Sequence, residues 1–553
     1  MKVVIIGGVA GGATAAARLR RLDEQAEIVI LERGGFVSFA NCGLPYYIGG
    51  EITDRDELEL QTPEGLKERF NVDARIFAEA TGIDRVGKTV TVKDAKTETV
   101  YSENYDKLIL SPGAKPVVPP IEGAAHPKVF TVRTIPDAVR IKEYIDGEKP
   151  GSAVVIGGGS IGIEMAENLK MAGLEVTIVE MADHVIAAID PDIACDAHNY
   201  LREKGIRLSL SNGLKSIKDI DGKLALTLQT GELTTDMVIM AVGVKPETEL
   251  AAAAGLELNS RGAIVVDESM LTSDKSIYAV GDAVEITEYV TGQRGVIPLA
   301  GPANKQGRIA ADNICGYGSK YKGSQGSAVV KMFDMTVAMT GITEAAARAK
   351  GLDYDKVFTY SASHAGYYPG GNSMSVKTIF EKNTGRILGA QIVGFDGVDK
   401  RCDILAVAIR AGMTAAQLTE LELCYAPPYS SAKDPVNFAG FVIENYLTGK
   451  VKHFHWHDVD NLPRDGSVTL LDVRTPGEYE AGRIEGFINI EVDSLRENIG
   501  RLDKSKTVYV HCQSGLRSYL ACRILAQSGF DCYNLSGGYR LYNAVKRGIR
   551  SIG

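Results

Sequence analysis

Twice along the chain a short aliphatic strand runs into a glycine cluster and on into a helix, a repeat that limits the possible folds severely. Residues 1–32 read as strand KVVIIGG, a glycine turn, helix ATAAARLRRL and strand AEIVILE. Residues 152–180 repeat the pattern with SAVVIGG, a glycine turn, IGIEMAENLKMAG and EVTIVE. Each is one β-α-β unit, so two nucleotide-type folds are expected in series, and with them two dinucleotides. Between them YDKLILSPGAKPVVPP is a strand that ends in Pro and Gly, a plausible crossing from the first fold to the second. Residues from about 250 to 320 are expected to return to the first fold.

At 553 residues the chain exceeds one core and should divide into about three or four domains. Hydrophobic content of 45%, charged content of 24% and 60 glycines fit a globular α/β protein. Lys plus Arg number 61 against 70 Asp plus Glu, and the net charge of -9 offers no general basic field for nucleic acid. The start MKVVIIGGVAGGATAAA imitates a secretory signal, but glycines interrupt its apolar core after about six residues, short of the roughly 7 to 15 such a signal needs. No run of about 18 apolar residues occurs, so no membrane span is expected. Cysteines at 42, 195, 315, 402, 424, 512, 522 and 532 form no CxxC pair, which fits a reduced, cytoplasmic setting. Cys195, Cys315, Cys402 and Cys522 lie in apolar or helical stretches, where a buried thiol is the ordinary expectation.

Residues 325–445 alternate short β-rich runs with helices such as CDILAVAIRAGM, the pattern of an α+β domain. The polar stretch LTGKVKHFHWHDVDNLPRDG then leads into VTLLDVR, TVYVHC, YLACRILAQSG and CYNLSGGY, which sets a boundary near residue 450.

Gly157, Gly159 and Gly162 satisfy GxGxxG between a strand and a helix, where glycines allow the tight turn and close approach of backbone to a pyrophosphate. Glu180 ends the next strand, about 18 residues on, placed to accept hydrogen bonds from a ribose diol, which favours NADH over NADPH. Ser160, Ile161, Glu164 and Gly243 complete this expected NAD site. The first loop, Gly7-Gly8-Val9-Ala10-Gly11-Gly12, has Val9 where the second glycine belongs; Glu32, about 20 residues beyond Gly12, supports a dinucleotide nonetheless.

With AVGDA at 279–283, the chain resembles the two-dinucleotide flavoprotein disulfide reductases. The resemblance implies FAD in the first site, with Asp282 on the ribityl chain and Gly7, Gly8, Ala10, Gly11, Gly12, Glu32, Arg33, Asn41, Ser111, Pro112, Gly113, Pro298, Leu299 and Ala300 around it. NADH would occupy the second site.

Cys42 stands in SFANCGLPYYIGG, where Asn41 and Gly43 break regular structure and put the thiol at the mouth of a helix. A useful nucleophile there needs a depressed pKa. Dithiol members of the family carry CxxxxC, but the fifth residue after Cys42 is Tyr47, so its redox partner comes from outside. The stretch closely resembles the coenzyme A disulfide reductase branch of the single-cysteine enzymes, and the resemblance extends from residue 1 to about 445. In that branch two tyrosines, matched by Tyr367 and Tyr425, reach the active cysteine from the partner subunit of a homodimer; Tyr368 and Tyr429 lie close enough in sequence to exchange roles with them. Peroxidase and oxidase relatives usually carry a histidine where this chain has Ala10. Coenzyme A phosphates need local cations, for which Arg18 and Arg21 on one helix face are candidates. Ser38, Gln61, Thr62, Asn304 and Arg308 join them in the expected substrate site.

LLDVRTPGEYEAGRIEGFINI followed by VYVHCQSGLRSYLACRILAQSGFDCYNLSGGY looks like a rhodanese domain. The resemblance covers residues 455–553. Cys512 opens a loop of Gln513, Ser514, Gly515, Leu516 and Arg517 whose amides can cradle a thiolate or persulfide, and Arg517 is expected to add positive charge. Asp472 and Arg474 are expected to brace the domain, and Cys532 to fall on a strand. His453, His455 and His457 alternate as on one strand face, with no carboxylate or cysteine at metal-site spacing, so no metal is expected.

The expected architecture is α/β: two Rossmann-like domains, for FAD (1–112 and 250–322) and NAD(H) (113–249), an α+β dimerisation domain (323–447) and an α/β rhodanese domain (455–553). The expected activity is NADH-dependent reduction of coenzyme A disulfide, coenzyme A persulfide or polysulfide, with small-molecule thiols, disulfides and persulfides as partners. Two alternatives remain: an NADH oxidase or peroxidase cycling through a Cys42 sulfenic acid, and a flavin-binding sulfur carrier or redox sensor.

Overall fold

The computed structural model describes residues 1–548, so 549–553 of the expected rhodanese domain lie outside it. The chain forms two compact units, Met1–Met181 with Asn212–Gly326, and Ala182–Ser211 with Ser327 onward. Among the described residues no helix is long and apolar enough to cross a membrane.

In the first unit a five-stranded sheet runs in the order Ile277–Ala279, Lys107–Leu110, Lys2–Ile6, Glu27–Leu31, Asp73–Arg75. All its pairings are parallel, with Val4 opposite Val29 and Leu108. Strands of such a sheet are covered on both faces, which is why KVVII is a continuous apolar run and Val3, Val4 and Ile5 are fully buried. Strand Ile277–Ala279 closes one edge, so the returning segment completes the sheet begun by residue 2. Its following helix, Ala300–Ile314, crosses Ala10–Leu22 so closely that a Cβ on Gly307 would lie 2.3 Å from the Gly11 carbonyl oxygen. A second parallel ladder joins Val129–Phe130, Met237–Met240, Ser152–Ile156 and Glu175–Val179.

In the second unit an antiparallel sheet has the order Ala328–Met332, Met335–Gly341, Ile387–Gly394, Ser373–Glu381, Tyr354–Ala362. Helices Val398–Arg410 and Pro435–Leu447 pack beside it. Part of the expected 113–249 domain belongs here, for a reason that local patterning does not carry. Lys377, fully buried in the sheet, is bound by Asp190 at 3.0 Å, Asp192 at 2.8 Å and Glu344 at 3.0 Å. A buried cation is tolerated only when paired in this way, and two of its three carboxylates come from the segment that opens helix Pro191–Glu203.

The carboxyl-terminal part is a five-stranded parallel sheet, Lys452–Phe454, Cys532–Leu535, Val508–His511, Thr469–Asp472, Ile488–Asn489. The histidines do not share one strand face, because the strand stops at Phe454. His453 stacks on Tyr446 with ring centroids 5.4 Å apart. His455 caps the 3-10 turn Trp456–Asn461 and holds Asp355 at 3.2 Å. Asp458 inside the turn answers the backbone N–H of His455, so a capping box and not a strand sets this stretch.

Candidate active site

The two glycine loops are built alike. Gly7 (φ +92°) and Gly157 (φ +104°) sit in left-handed conformations, and a Cβ there would lie 2.2 Å from Ser111 O and 2.3 Å from Ala241 O. One turn on, a Cβ on Gly12 would meet Gly7 O at 1.9 Å, and one on Gly162 would meet Gly157 O at 2.0 Å. Each helix therefore starts hard against its strand. Neither Val9 nor Gly159, which precede the helices, provides a side-chain cap, so the first-turn amides of Ala10–Leu22 and Ser160–Met171 can receive a pyrophosphate. Space beside Gly159 is open to 4 Å. Val9 stands at the equivalent place in the first loop with φ -80°, a conformation that does not require glycine.

Both expected ribose acids face their loops. Glu180 accepts from the Gly158 N–H at 2.6 Å, and Glu32 from the N–H groups of Gly34 at 2.9 Å and Gly8 at 3.3 Å. Arg33 is half exposed and pairs with Glu247 at 2.8 Å; Arg133 grips the same carboxylate at 2.7 Å and also donates to Pro112 O. Ser111 extends the sheet through its N–H to Ile6 O, and Gly113 turns the chain at φ +72°. Gly243, at φ +107°, follows strand Met237–Met240 and has open space around it. Ser160 and Ile161 begin the second loop's helix at the surface. Asp282 lies in the turn Gly281–Ala283 directly after the returning strand, with burial pushing its carboxyl up. Gln306, which the motifs do not single out, fixes this turn by accepting the Gly281 N–H at 2.7 Å. Pro298, Leu299 and Ala300 form the uncapped start of helix Ala300–Ile314.

Cys42 occupies the single turn Asn41–Gly43, immediately before helix Leu44–Gly49, and is exposed. That helix presses on Ser160–Met171: a Cβ on Gly49 would lie 2.2 Å from Asn168 Oδ1. The expected depression of the thiol pKa is not produced by the surrounding side chains. Partial burial, then the charges of Glu164 and Asp282, push it up. With only six residues, the following helix is too short to offset them strongly. Glu164 is itself pushed up to about 7 by burial and by Glu167, and Tyr46 to about 12 by burial and Glu164. The thiol thus responds to one carboxylate from each glycine-loop fold, Asp282 from the first and Glu164 from the second.

Of the other expected substrate groups, Arg18 is committed to Asp312 at 2.7 Å, while Arg21 is exposed on the same helix. Asn304 accepts from Thr14 at 2.6 Å and Arg308 is exposed. Ser38 and Gln61 are register partners in a small antiparallel pair. Thr62 caps helix Pro63–Phe70, and Gln61 and Thr62 line an open surface cavity that also takes in Arg69, a cation absent from the expected set. In the second unit Tyr367 and Tyr425 hydrogen-bond to each other at 2.9 Å, and both rings are exposed. The bond links the two expected tyrosines, while Tyr368 packs edge-on against His364.

Cys512 follows strand Val508–His511 and is fully buried beneath its loop. The Gly515 N–H reaches Cys512 Sγ at 3.1 Å and the Ser518 hydroxyl at 3.3 Å, a cradle made by the turn at Gly515 (φ +102°). Arg517 does not stand as a free charge. Glu478 takes both its outer nitrogens at 2.7 Å and is pulled to about 2, chiefly by that contact. Thr475 and Glu478 form a capping box, so the same carboxylate that opens helix Pro476–Ala481 also binds Arg517. Asp472 and Arg474 are buried and paired at 2.7 Å, the bracing role expected of them. Neighbouring His511 is held neutral, pushed down to about 4 by burial.

The description pyridine nucleotide-disulphide oxidoreductase matches residues 1–307, its dimerisation domain 327–435, and a rhodanese-like domain 455–544. Reduced CoADR-RHD of Bacillus anthracis superposes with a TM-score of 0.96 and 48% identity, over 99% of this chain and 98% of that one. A NAD-dependent persulfide reductase from A. fulgidus gives a TM-score of 0.92 and 41% identity, over 98% and 100%. An NADH oxidase of Methanocaldococcus jannaschii is 38% identical over 441 residues, 79% of this chain and 98% of its own length. A coenzyme A disulfide reductase of Staphylococcus haemolyticus is 35% identical over 442 residues, 80% and 98%. With its two glycine-loop folds followed by these two further domains, the chain belongs to the pyridine nucleotide-disulphide oxidoreductase family and carries a rhodanese-like domain.

Proposed function

We propose that this protein is an NADH-dependent flavoprotein that reduces coenzyme A disulfide, coenzyme A persulfide or polysulfide through Cys42, with sulfane sulfur handled at Cys512. One observation supports the reading: Cys42, an exposed and unpaired thiol, sits on the turn that leads into helix Leu44–Gly49, which packs against helix Ser160–Met171 of the second glycine loop. FAD would be held at the first loop by the uncapped amides after Val9, by Glu32 and by Asp282, and NADH at the second by the amides after Gly159 and by Glu180. Bound there, the flavin supplies a two-electron path from nicotinamide to sulfur.

Cys42 attacks the substrate's sulfur, expels thiolate or hydrosulfide, and retains the other half as a mixed disulfide. Electrons then release that half and restore the thiol. Glu164, near 7, is poised to exchange a proton with this centre at neutral pH. Tyr367 and Tyr425, hydrogen-bonded together, would serve the active cysteine of the second subunit in an isologous homodimer built on 323–447. Eight free cysteines fit a reducing, cytoplasmic compartment.

NADH consumption should be fast with coenzyme A disulfide, coenzyme A persulfide or polysulfide, and slower by about tenfold or more with oxygen or peroxide. The oxidase of M. jannaschii gives the opposite outcome a definite form: oxygen turnover as fast as sulfur turnover, with one oxygen added to Cys42, would overturn the reading. Ala10, in place of a histidine beside the expected flavin, argues against it. For Glu180→Ala, loss of the carboxylate facing the loop is expected to raise kcat/KM for NADPH relative to NADH about tenfold, or roughly 1.4 kcal/mol. An unchanged ratio would remove Glu180 from cofactor selection.

A further inference from the structure

Between the two loops that carry Tyr367 and Tyr425 lies a buried cation to which the proposed reaction gives no task. Arg401, on helix Val398–Arg410, is 1% exposed, as is Asp434, its ion-pair partner at 3.0 Å. The guanidinium grips both loops. Its Nη2 donates to the Ser363 carbonyl at 2.9 Å, ahead of Tyr367, and to the Ser430 hydroxyl at 3.0 Å, beyond Tyr425. Ser430 donates in turn to Asp434 at 2.8 Å, and Nη1 to the Gly397 carbonyl at 3.2 Å. The fit is tight enough that a Cβ on Gly397 would lie 2.1 Å from Nη1. Short backbone links continue from these contacts to the tyrosines. Ser363 closes the first loop through its N–H to Asn372 O at 2.8 Å; the N–H groups of Tyr429 and Ser430 turn the second onto Ala426 O at 2.9 and 3.2 Å. The Ala365 N–H joins one loop to the other at Pro427 O, 3.3 Å away. Both tyrosine rings are exposed, so little packing holds their 2.9 Å hydroxyl contact, and its geometry comes from the loops.

We propose that Arg401 is a positioning residue for the Cys42 reaction, clamping the two loops so that Tyr367 and Tyr425 meet as one hydrogen-bonded pair facing the active cysteine of the second subunit. The inference rests on the reading that these tyrosines serve that cysteine. Arg401 acts through the loops: one planar fork spans a carbonyl on the first and a hydroxyl and a carboxylate on the second. A lysine would keep the charge beside Asp434 but has no fork with which to hold Ser363 and Ser430 together. Its loss should therefore separate the two hydroxyls while leaving both glycine loops, which belong to the first compact unit, as they are.

The test follows NADH-driven reduction of coenzyme A disulfide by the full-length holoprotein and by its Arg401→Lys, Tyr425→Phe and doubly substituted forms. Each single change is expected to lower kcat about tenfold, and the double form to fall no more than about twofold below either, because both changes disable one pair. NADH should bleach the flavin at the parent rate in all three. A loss of about a hundredfold in the double form would make the effects independent and overturn the proposal. A parent-like kcat in Arg401→Lys would do the same, as would bleaching slowed as much as turnover. Full activity in Tyr425→Phe is a different result: it removes the reading of the tyrosines, and the proposal with it. If Arg401→Lys does not fold, Ser430→Ala, which takes away one limb of the clamp, enters the same cycle with an expected loss of about threefold. Mixed dimers give the second measurement. One Arg401→Lys chain paired with one Cys42→Ser chain should recover about half the parent rate, since the intact tyrosines of the latter serve the remaining cysteine. Absence of recovery would confine the effect of Arg401 to its own chain and overturn the proposal.

Discussion

Cys42→Ser is expected to lower NADH-driven turnover of every sulfur acceptor about a thousandfold or more, while NADH still bleaches the flavin. A serine hydroxyl cannot displace thiolate from a disulfide at neutral pH, and no second cysteine follows at the dithiol spacing, where Tyr47 stands. Five of the other seven thiols, Cys195, Cys402, Cys512, Cys522 and Cys532, are buried, and the exposed Cys424 belongs to the second compact unit. Retained bleaching is the control for folding, because it depends on the two glycine loops and not on the thiol. A variant that keeps acceptor turnover within tenfold of the parent would show that electrons leave the flavin by another route, and the proposed covalent step would fall. Burial, Glu164 and Asp282 raise the thiol pKa, so acceptor turnover of the parent protein is expected to rise with pH through the neutral range.

The glycine loops were readable in the sequence because their steric demands are local and severe. A Cβ at Gly12 or Gly162 would sit about 2 Å from the carbonyl of the glycine that opens the turn, so spacing alone reports the geometry. The returning strand was readable for a similar reason: an apolar run ending in AVGDA can be buried at only a few places, and it adds to Lys107–Leu110. Partners brought together by tertiary packing left no such mark. Nothing near residue 190 announces that Asp190 and Asp192 hold Lys377, which lies more than 180 positions away and draws Ala182–Ser211 into the second unit. Arg18 and Arg517 looked like available cations, because a sequence shows a charge but not the carboxylate that cancels it; Asp312 and Glu478 do so. The three histidines failed differently. Period-2 spacing fits a strand only while a ladder continues, and here it ends at Phe454, where a capping box takes the chain.

Cys512→Ser separates the two sulfur centres. Sulfane transfer from a persulfide donor is expected to fall about a thousandfold, while NADH-dependent reduction of coenzyme A disulfide stays within about twofold. The first half follows from the cradle. Gly515 N–H and the Ser518 hydroxyl converge on one sulfur atom, and a serine oxygen in that place can be held but cannot carry a sulfane atom. The second half follows from the separate construction of the sites: Cys42 and both glycine loops belong to the first compact unit, Cys512 to the second. Arg517 supplies an internal comparison. Because Glu478 neutralises it, the proposed donor site offers loop amides and no free Arg517 charge, so the loss in Cys512→Ser should be the same at low and high ionic strength. Parallel loss of both activities would mean that coenzyme A disulfide reaches Cys42 only by way of Cys512, and the two cysteines would then form one relay in place of two stations.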